Sequence, residues 1–323
     1  MCSTLIMTEY DVVIVGAGPA GLSAALMLGR SRRRVVVIDD GAPRNRAATA
    51  THGFLTRDGT SPSALIDLGR AELARYKTVH LRSGTVIAAD GVRGALVARC
   101  GDGGAFTGRR LLIATGVVDK LPPIPGIDKL YGRSVHHCPF CDAFEYTGQP
   151  LAQYGRGRAG VDAALILRNW SDDVVLITDG RPLTPQQRER CRRHRIPLRE
   201  EAVSRLLGRA DRLAQVAFAS GPPLSRAALF FATSQEQRSD LAKSLGCAFT
   251  PEGAVATTEY ETTNVPGVYV AGDASHRSQK LVVAAAEGAL AAIKIHESLW
   301  KEDLREASRG PRHTTSQQPR VGR

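Results

Sequence analysis

Short β-branched runs that meet glycine turns and then helix-period segments dominate the pattern of apolar and polar positions. Tyr10-Asp11-Val12-Val13-Ile14-Val15 runs into Gly16-Ala17-Gly18-Pro19-Ala20-Gly21, and Leu22 to Leu28 then reads as a helix. Val35-Val36-Val37-Ile38 predicts the next buried parallel strand and ends on Asp39 and Asp40, 18 and 19 residues after Gly21. The pattern returns with the apolar segment Leu151-Ala152-Gln153-Tyr154, the turn Gly155-Arg156-Gly157-Arg158-Ala159-Gly160 and a helix-like stretch from Val161 to Trp170. Val174-Val175-Leu176-Ile177 follows and ends at Thr178-Asp179, and a late strand, Val268-Tyr269-Val270, leads through Ala271-Gly272 into Asp273. The prediction is an α/β chain with two dinucleotide-binding, Rossmann-like units.

In the first fingerprint Gly16 permits the sharp turn, Gly18 lets the backbone approach a pyrophosphate, and Gly21 lets the helix pack close to the strand. Pro19 and Ala20 fill the places between, and the phosphates rest on the helix N-terminus. Asp39 or Asp40 stands where a ribose needs an acid. Gly155, Gly157, Gly160 and Asp179 repeat the arrangement, although Tyr154 makes a poorer strand end and Arg156 and Arg158 crowd the loop, so a merely structural turn stays open there. The prolines of Leu121-Pro122-Pro123-Ile124-Pro125-Gly126 predict one domain crossing, and Thr250-Pro251-Glu252-Gly253 a second. Residues 1–122 and 248–308 are therefore expected to form one discontinuous domain, with 123–247 inserted into it and 309–323 a disordered basic tail.

A length of 323 residues suits two domains with cores of their own, and 43% hydrophobic with 23% charged residues excludes disorder, collagen and coiled coil as global descriptions. The net charge of +11 raises the question of nucleic acid. Its arginines fall in three clusters: Arg30 to Arg34, Arg181 to Arg199 on a helix-like segment, and Arg309, Arg312, Arg320 and Arg323 in the tail. No aromatics interleave with them and no nucleic-acid motif occurs, so solvated faces are expected and a nucleic-acid partner is not. No apolar run reaches membrane-spanning length and the first residues lack signal-peptide features, so a cytoplasmic protein with no membrane partner is expected.

Cys2, Cys100, Cys191 and Cys247 are scattered singly, whereas Cys138-Pro139-Phe140-Cys141 can close and reopen a small ring by thiolate exchange. Pro139 suits the first helical position, which puts Cys138 near the N-cap, where the helix dipole favours a thiolate and makes Cys138 the better external nucleophile. Half a zinc site or a buried inert pair is the alternative, but zinc would need two more ligands, no second pair exists, and the adjacent His136 and His137 cannot easily surround one tetrahedral ion. Asp142 could shuttle protons as thiols become a disulfide or simply favour the dipole, and His137 is the competing proton carrier.

Four segments fall in the order seen in low-molecular-weight thioredoxin reductases and their flavoprotein relatives, which the chain resembles over nearly residues 10 to 300. They are Val13 to Gly21, Ile113-Ala114-Thr115-Gly116, Cys138 to Asp142 and Val265 to Asp273. The resemblance implies an FAD domain built from both ends of the chain, a central pyridine-nucleotide-like domain carrying the cysteine pair, and a homodimer. It implies that Gly16, Gly18, Gly21 and Asp39 or Asp40 hold the ADP half of FAD, that Thr115, Gly116, Gly272 and Asp273 lie along the cofactor, and that Cys141 faces the flavin. Cys138 would then exchange with substrate, and Asp142 matches the family's proton-transfer acid.

The departures bear on cofactor and direction. Where NADPH-using relatives carry His-Arg-Arg after the second nucleotide strand, this chain has Thr178-Asp179-Gly180. A carboxylate about 4 Å from a 2′-phosphate costs on the order of 4 kcal/mol per unit charge at an effective dielectric of about 20, which favours NADH, or no pyridine nucleotide, over NADPH. The flavin-side Arg-Gln-Ala appears as Gln279-Lys280-Leu281, where Lys280 either steadies an anionic reduced flavin or is solvent-exposed. His52 to Gly59 and the Pro-Phe of the cysteine motif resemble the dithiol oxidases that close the disulfides of gliotoxin and holomycin, which usually carry His where Asp142 stands. The expectation is an FAD-dependent thiol–disulfide oxidoreductase, leaning to oxidation of a small dithiol with oxygen as acceptor. An NAD(P)H-dependent reductase of thioredoxin or a small disulfide is the alternative in the enzyme class, and a redox-sensing flavoprotein the alternative outside it.

Overall fold

The computed structural model describes residues 9–275 and 278–309, so the expected tail with Arg312, Arg320 and Arg323 lies outside the described residues, as does Cys2. Along the chain, β1 (Tyr10–Val15), α1 (Pro19–Arg30) and β2 (Val35–Asp39) lead to α2 (Pro62–Leu73) and β3 (Val79–Ser83). A meander of β4 (Val86–Val92), β5 (Ala95–Cys100) and β6 (Ala105–Ile113) follows, then β7 (Val117–Lys120) and the one-turn helix α3 (Ile127–Leu130). Next come β8 (Val135–His136), α4 (Pro139–Asp142), β9 (Leu151–Tyr154), α5 (Gly157–Leu167), β10 (Val174–Ile177), α6 (Pro185–Arg193) and β11 (Leu198–Arg199). The remaining elements are β12 (Val203–Arg209), β13 (Arg212–Phe218), β14 (Leu224–Ser225), β15 (Ala228–Phe231), β16 (Ser234–Gln237), α7 (Leu241–Ser244), β17 (Val268–Val270) and α8 (Leu281–Ser308).

Two sheets organise these elements. The first has the order β3-β2-β1-β6-β5-β4, with β17 also pairing β6; its β1, β2, β3, β6 and β17 run parallel and β4 to β6 form an antiparallel meander. The second has the order β11-β10-β9-β15-β8, with every pairing parallel. Val12 to Val15 of β1 form an unbroken apolar run because both faces of the strand are covered there. Val12 and Ile14 pack with α1 and α8 residues such as Leu28 and Ile295, while Val13 and Val15 face the opposite core with Ala98, Leu241 and Val255. The second sheet repeats this, Leu151 and Val174 facing α5 and Ala152 and Val175 facing the β12–β13 layer.

The chain leaves the first sheet through β7 and returns through β16, and these two strands pair antiparallel. Leu241, Ala242 and Cys247 already sit in the core of the first sheet, so the return precedes the crossing expected at 248. The four-residue α7 is too short for a helical period to register in the sequence. Three arginines of α6 are paired, Arg188 with Glu200 at 2.6 Å, Arg192 with Glu189 at 2.7 Å and Arg190 with Asp162. Among the described residues no helix is long and apolar enough to cross a membrane.

Candidate active site

The turn between β1 and α1 has the geometry that three differently employed glycines require. Gly16 adopts φ +104°, and a Cβ there would lie 2.4 Å from the Ala114 carbonyl oxygen. A Cβ on Gly21 would lie 1.9 Å from the Gly16 carbonyl oxygen, so helix and strand can approach only without it. Around Gly18 nothing stands within 4 Å of that position, and Gly18 is the N-cap of a 12-residue helix with no side-chain cap and no acid in its first turn. Open space over free helical N–H groups suits an anionic pyrophosphate.

A cavity of about 460 Å³ extends from this turn, with Pro19, Ala20, Asp39 and Asp40 at one end and Cys141, Asp142 and Lys280 among its walls at the other. Thr115, Gly116, Gly272 and Asp273 also line it. Asp39 Oδ1 accepts the Ala17 N–H at 2.8 Å, and its Oδ2 accepts from Arg70 at 2.9 Å. Asp40 instead takes Arg238 at 3.0 Å. The sequence places these acids equally, but only Asp39 is tied to the backbone of the fingerprint. The glycine cradle, the uncapped helix and the acid at the end of β2 fit the ADP half of FAD, and the cavity leads from them to the cysteine pair.

Cys138 and Cys141 are joined in a disulfide across the one-turn α4, with Cys138 as N-cap and Pro139 in its first turn. Cys141 lines the cavity, and Phe140 and Phe144 on either side of it are 71% and 75% exposed. Four residues carry little of the dipole that the sequence reading assigned to this helix. Positive charge comes instead from the N-cap of α8, where half-buried Lys280 points Nζ at Cys138 Sγ, 2.7 Å away, and at Cys141 Sγ, 3.0 Å away. Burial holds the Lys280 ammonium below the usual lysine range.

His137 has both ring nitrogens engaged. Nδ1 lies 2.9 Å from the Tyr131 hydroxyl, which donates to Asp119 Oδ2 at 2.8 Å, and Nε2 lies 3.4 Å from Arg44 Nη2. Burial lowers the affinity of His137 for a second proton. Arg44 closes the network by pairing with Asp273 at 2.7 Å and with both oxygens of Asp119, and despite its burial Asp119 is held below the usual carboxylate range by Arg44. On the other side of α4, Asp142 Oδ1 lies 3.3 Å from Nδ1 of buried His136, whose Nε2 meets the Tyr146 hydroxyl at 3.2 Å. Sequence reasoning missed Arg44, Asp119, Tyr131 and His136 as a shell around the pair, because no local motif marks them.

The second glycine turn has the same close approach, a Cβ on Gly160 falling 2.5 Å from the Gly155 carbonyl carbon, while Gly157 opens α5 at φ +55°. Asp179 sits beyond β10 at φ +53° with its carboxylate already held. Oδ2 accepts from Tyr154 at 2.7 Å and from Arg156 at 2.6 Å, and Oδ1 accepts the Val203 N–H at 2.8 Å. Although burial opposes it, these bonds keep Asp179 below the usual carboxylate range.

Comparison with known proteins matches residues 10–289 to the pyridine nucleotide-disulphide oxidoreductase family. The crystal structure of HlmI superimposes with a TM-score of 0.88 at 39% identity, over 93% of this chain and 95% of that one. A putative thioredoxin reductase TrxB from Bacillus anthracis gives a TM-score of 0.87 at 31% identity, over 90% and 99% of the two chains. A probable thioredoxin reductase of Arthroderma benhamiae is 28% identical over 94% of this chain and 83% of its own length.

Proposed function

Because the chain belongs to the pyridine nucleotide-disulphide oxidoreductase family, we propose that it is an FAD-dependent thiol–disulfide oxidoreductase that oxidises a small dithiol, with oxygen as the final acceptor. The observation that carries this reading is the Cys138–Cys141 disulfide, set between two exposed phenylalanines on one side and the cavity on the other. FAD, held by the Gly16–Gly18–Gly21 turn and Asp39, would supply a two-electron acceptor for the reduced pair. The chain's own residues do the rest. Cys138 receives the substrate thiolate, Cys141 leaves, and Asp142, which opposes His136 beside the pair, holds or moves the protons. His137 acts as a neutral support for the strand before Cys138, since both its nitrogens are engaged.

The direction is supported by the committed carboxylate of Asp179, which Arg156 and Tyr154 already hold where a ribose would be read. A reductase is the second reading, favoured by the intact close approach of Gly155 and Gly160. FAD is assigned to the first sheet and the inserted second sheet to a pyridine nucleotide or its vestige. Free, buried Cys100, Cys191 and Cys247 suit a reducing, cytoplasmic setting. A homodimer through α8 completes the reading.

The test is anaerobic mixing of the FAD-loaded protein with NADH, with NADPH and with a small synthetic dithiol, following loss of oxidised-flavin absorbance. Bleaching by the dithiol alone is expected, with Cys138→Ser and Cys141→Ser each abolishing it while FAD stays bound. Rapid bleaching by either nicotinamide would overturn the direction, and full bleaching by dithiol in either serine variant would overturn the cysteine mechanism.

A further inference from the structure

We propose that Lys280 is a catalytic residue of the disulfide exchange: its ammonium stabilises the thiolates that Cys141 and Cys138 become in turn. The proposal rests on the reading of Cys138–Cys141 as the redox pair. Lys280 enters from the N-cap of α8, 142 residues from Cys138 in sequence, and its Nζ reaches both sulfurs, at 2.7 and 3.0 Å. Nζ therefore stands against both sulfurs, where its charge would face either thiolate as it forms. A lysine against a cysteine favours the thiolate by direct charge attraction.

The other charged groups around the pair are already matched. Arg44 is taken up by Asp119 and Asp273. His137 is kept neutral by burial, and His136 faces Asp142. Asp142 also acts on Lys280, favouring its charged form while burial and Arg44 oppose it. Among the described residues, Lys280 is therefore the cation in hydrogen-bonding contact with the sulfurs. The one-turn α4 contributes little field of its own.

The chemistry balances without a further reagent in this half-reaction. A substrate thiolate attacks Cys138 Sγ, the Cys138–Cys141 bond breaks, and Cys141 leaves as a thiolate facing Nζ. The second substrate thiolate then attacks the substrate sulfur bound to Cys138, closing the substrate disulfide and releasing Cys138 as a thiolate facing the same Nζ. Two electrons pass from the substrate sulfurs to the pair, and the two substrate thiol protons go to the thiolates or to solvent. Reoxidation of the pair is the chemistry proposed above for bound FAD.

The test reads thiolate formation rather than turnover. The FAD-loaded full chain is reduced anaerobically with a phosphine, and alkylation of Cys138 and Cys141 by iodoacetamide is followed by mass from acid to alkaline pH. The wild-type pair is expected to titrate below the ordinary thiol value of about 8.5. Lys280→Met should move that titration up and slow alkylation at neutral pH about tenfold, with equal rates at high pH, and Lys280→Arg should restore the profile. Superimposable wild-type and Lys280→Met profiles would overturn the proposal. If Lys280→Met does not fold, the wild-type profile decides, since titration at the ordinary thiol value overturns it alone. Failure of dithiols to bleach the flavin would sink the proposed function and leave this profile unchanged, so the two failures are separable.

Discussion

Glu287 lies buried on α8 with Oε2 accepting the Gly272 N–H at 2.7 Å, next to the acid that pairs with Arg44. Burial raises its carboxyl from 4.5 to about 7, the hydrogen bond from Gly272 opposing and the charge of Asp273 adding to the rise. An acid whose folded value lies above its unfolded value keeps its proton longer in the folded state. Its effect on stability is therefore neutral below pH 4.5, grows unfavourable between pH 4.5 and about 7, and stays so above. Glu287→Gln keeps an acceptor for Gly272 and cannot ionise. It should stabilise the protein by ~1–3 kcal/mol above neutrality and by nothing measurable in acid. Urea unfolding at alkaline and acidic pH checks this, and an equal shift at both would remove the titration argument. His137 shows the limit of reading single residues: its place beside Cys138 marked it as a proton carrier, whereas the Tyr131 and Arg44 contacts that occupy its nitrogens come from elsewhere in the chain.

At the scale of elements, the crossing of α1 and α8 determines where the fingerprint helix sits. A Cβ on Gly288 would stand 2.0 Å from the Ala20 carbonyl oxygen and 2.7 Å from its carbon, both backbone atoms that move only with α1. Gly288→Ala should therefore cost ~1–3 kcal/mol, against the gain of about 1 kcal/mol that alanine brings to an ordinary helix interior. It should also loosen FAD, since Ala20 lies in the turn under the pyrophosphate place. Lower urea midpoint with weaker flavin retention is the expected pair of results, and a stabilised variant would show that the helices can separate. Gly16, Gly18 and Gly21 were legible in the sequence because their spacing encodes a close approach within one strand–turn–helix unit. Gly288 was not, because its partner is in another helix and an isolated glycine says nothing of what crosses it. The same distinction separates Cys138 and Cys141, three apart, from Arg44 and Asp119, which meet across 75 residues once β7 is in place. The early return to the first sheet escaped notice for a related reason, since α7 is a single turn.

At the scale of the whole molecule, α8 carries apolar residues on two opposite sides, one buried and one exposed. Its buried side carries Ala284, Gly288, Ala291, Ala292, Ile295 and Leu299 against the first sheet. On the opposite side Val282, Leu290, Ile293, Trp300 and Leu304 are 45, 40, 39, 50 and 52% exposed. At about 100° per residue these five positions fall within roughly a quarter of the helix circumference, so they form one stripe rather than scattered apolar residues. Such a stripe on a long helix is the surface through which the homodimer is expected to form, a twofold arrangement in which each α8 meets the same face of its partner. The stripe begins at Val282, two residues after Lys280, so dimerisation would also brace the end of α8 that carries the ammonium to the disulfide. Sedimentation equilibrium should find a dimer for the full chain, and Leu290→Glu with Trp300→Glu should shift it to monomer. If α8 is braced by the partner, the monomeric variant should also show slower alkylation of the reduced pair at neutral pH. A wild-type monomer across the concentration range would overturn the dimer, and a monomeric variant with unchanged alkylation would confine the interface to assembly.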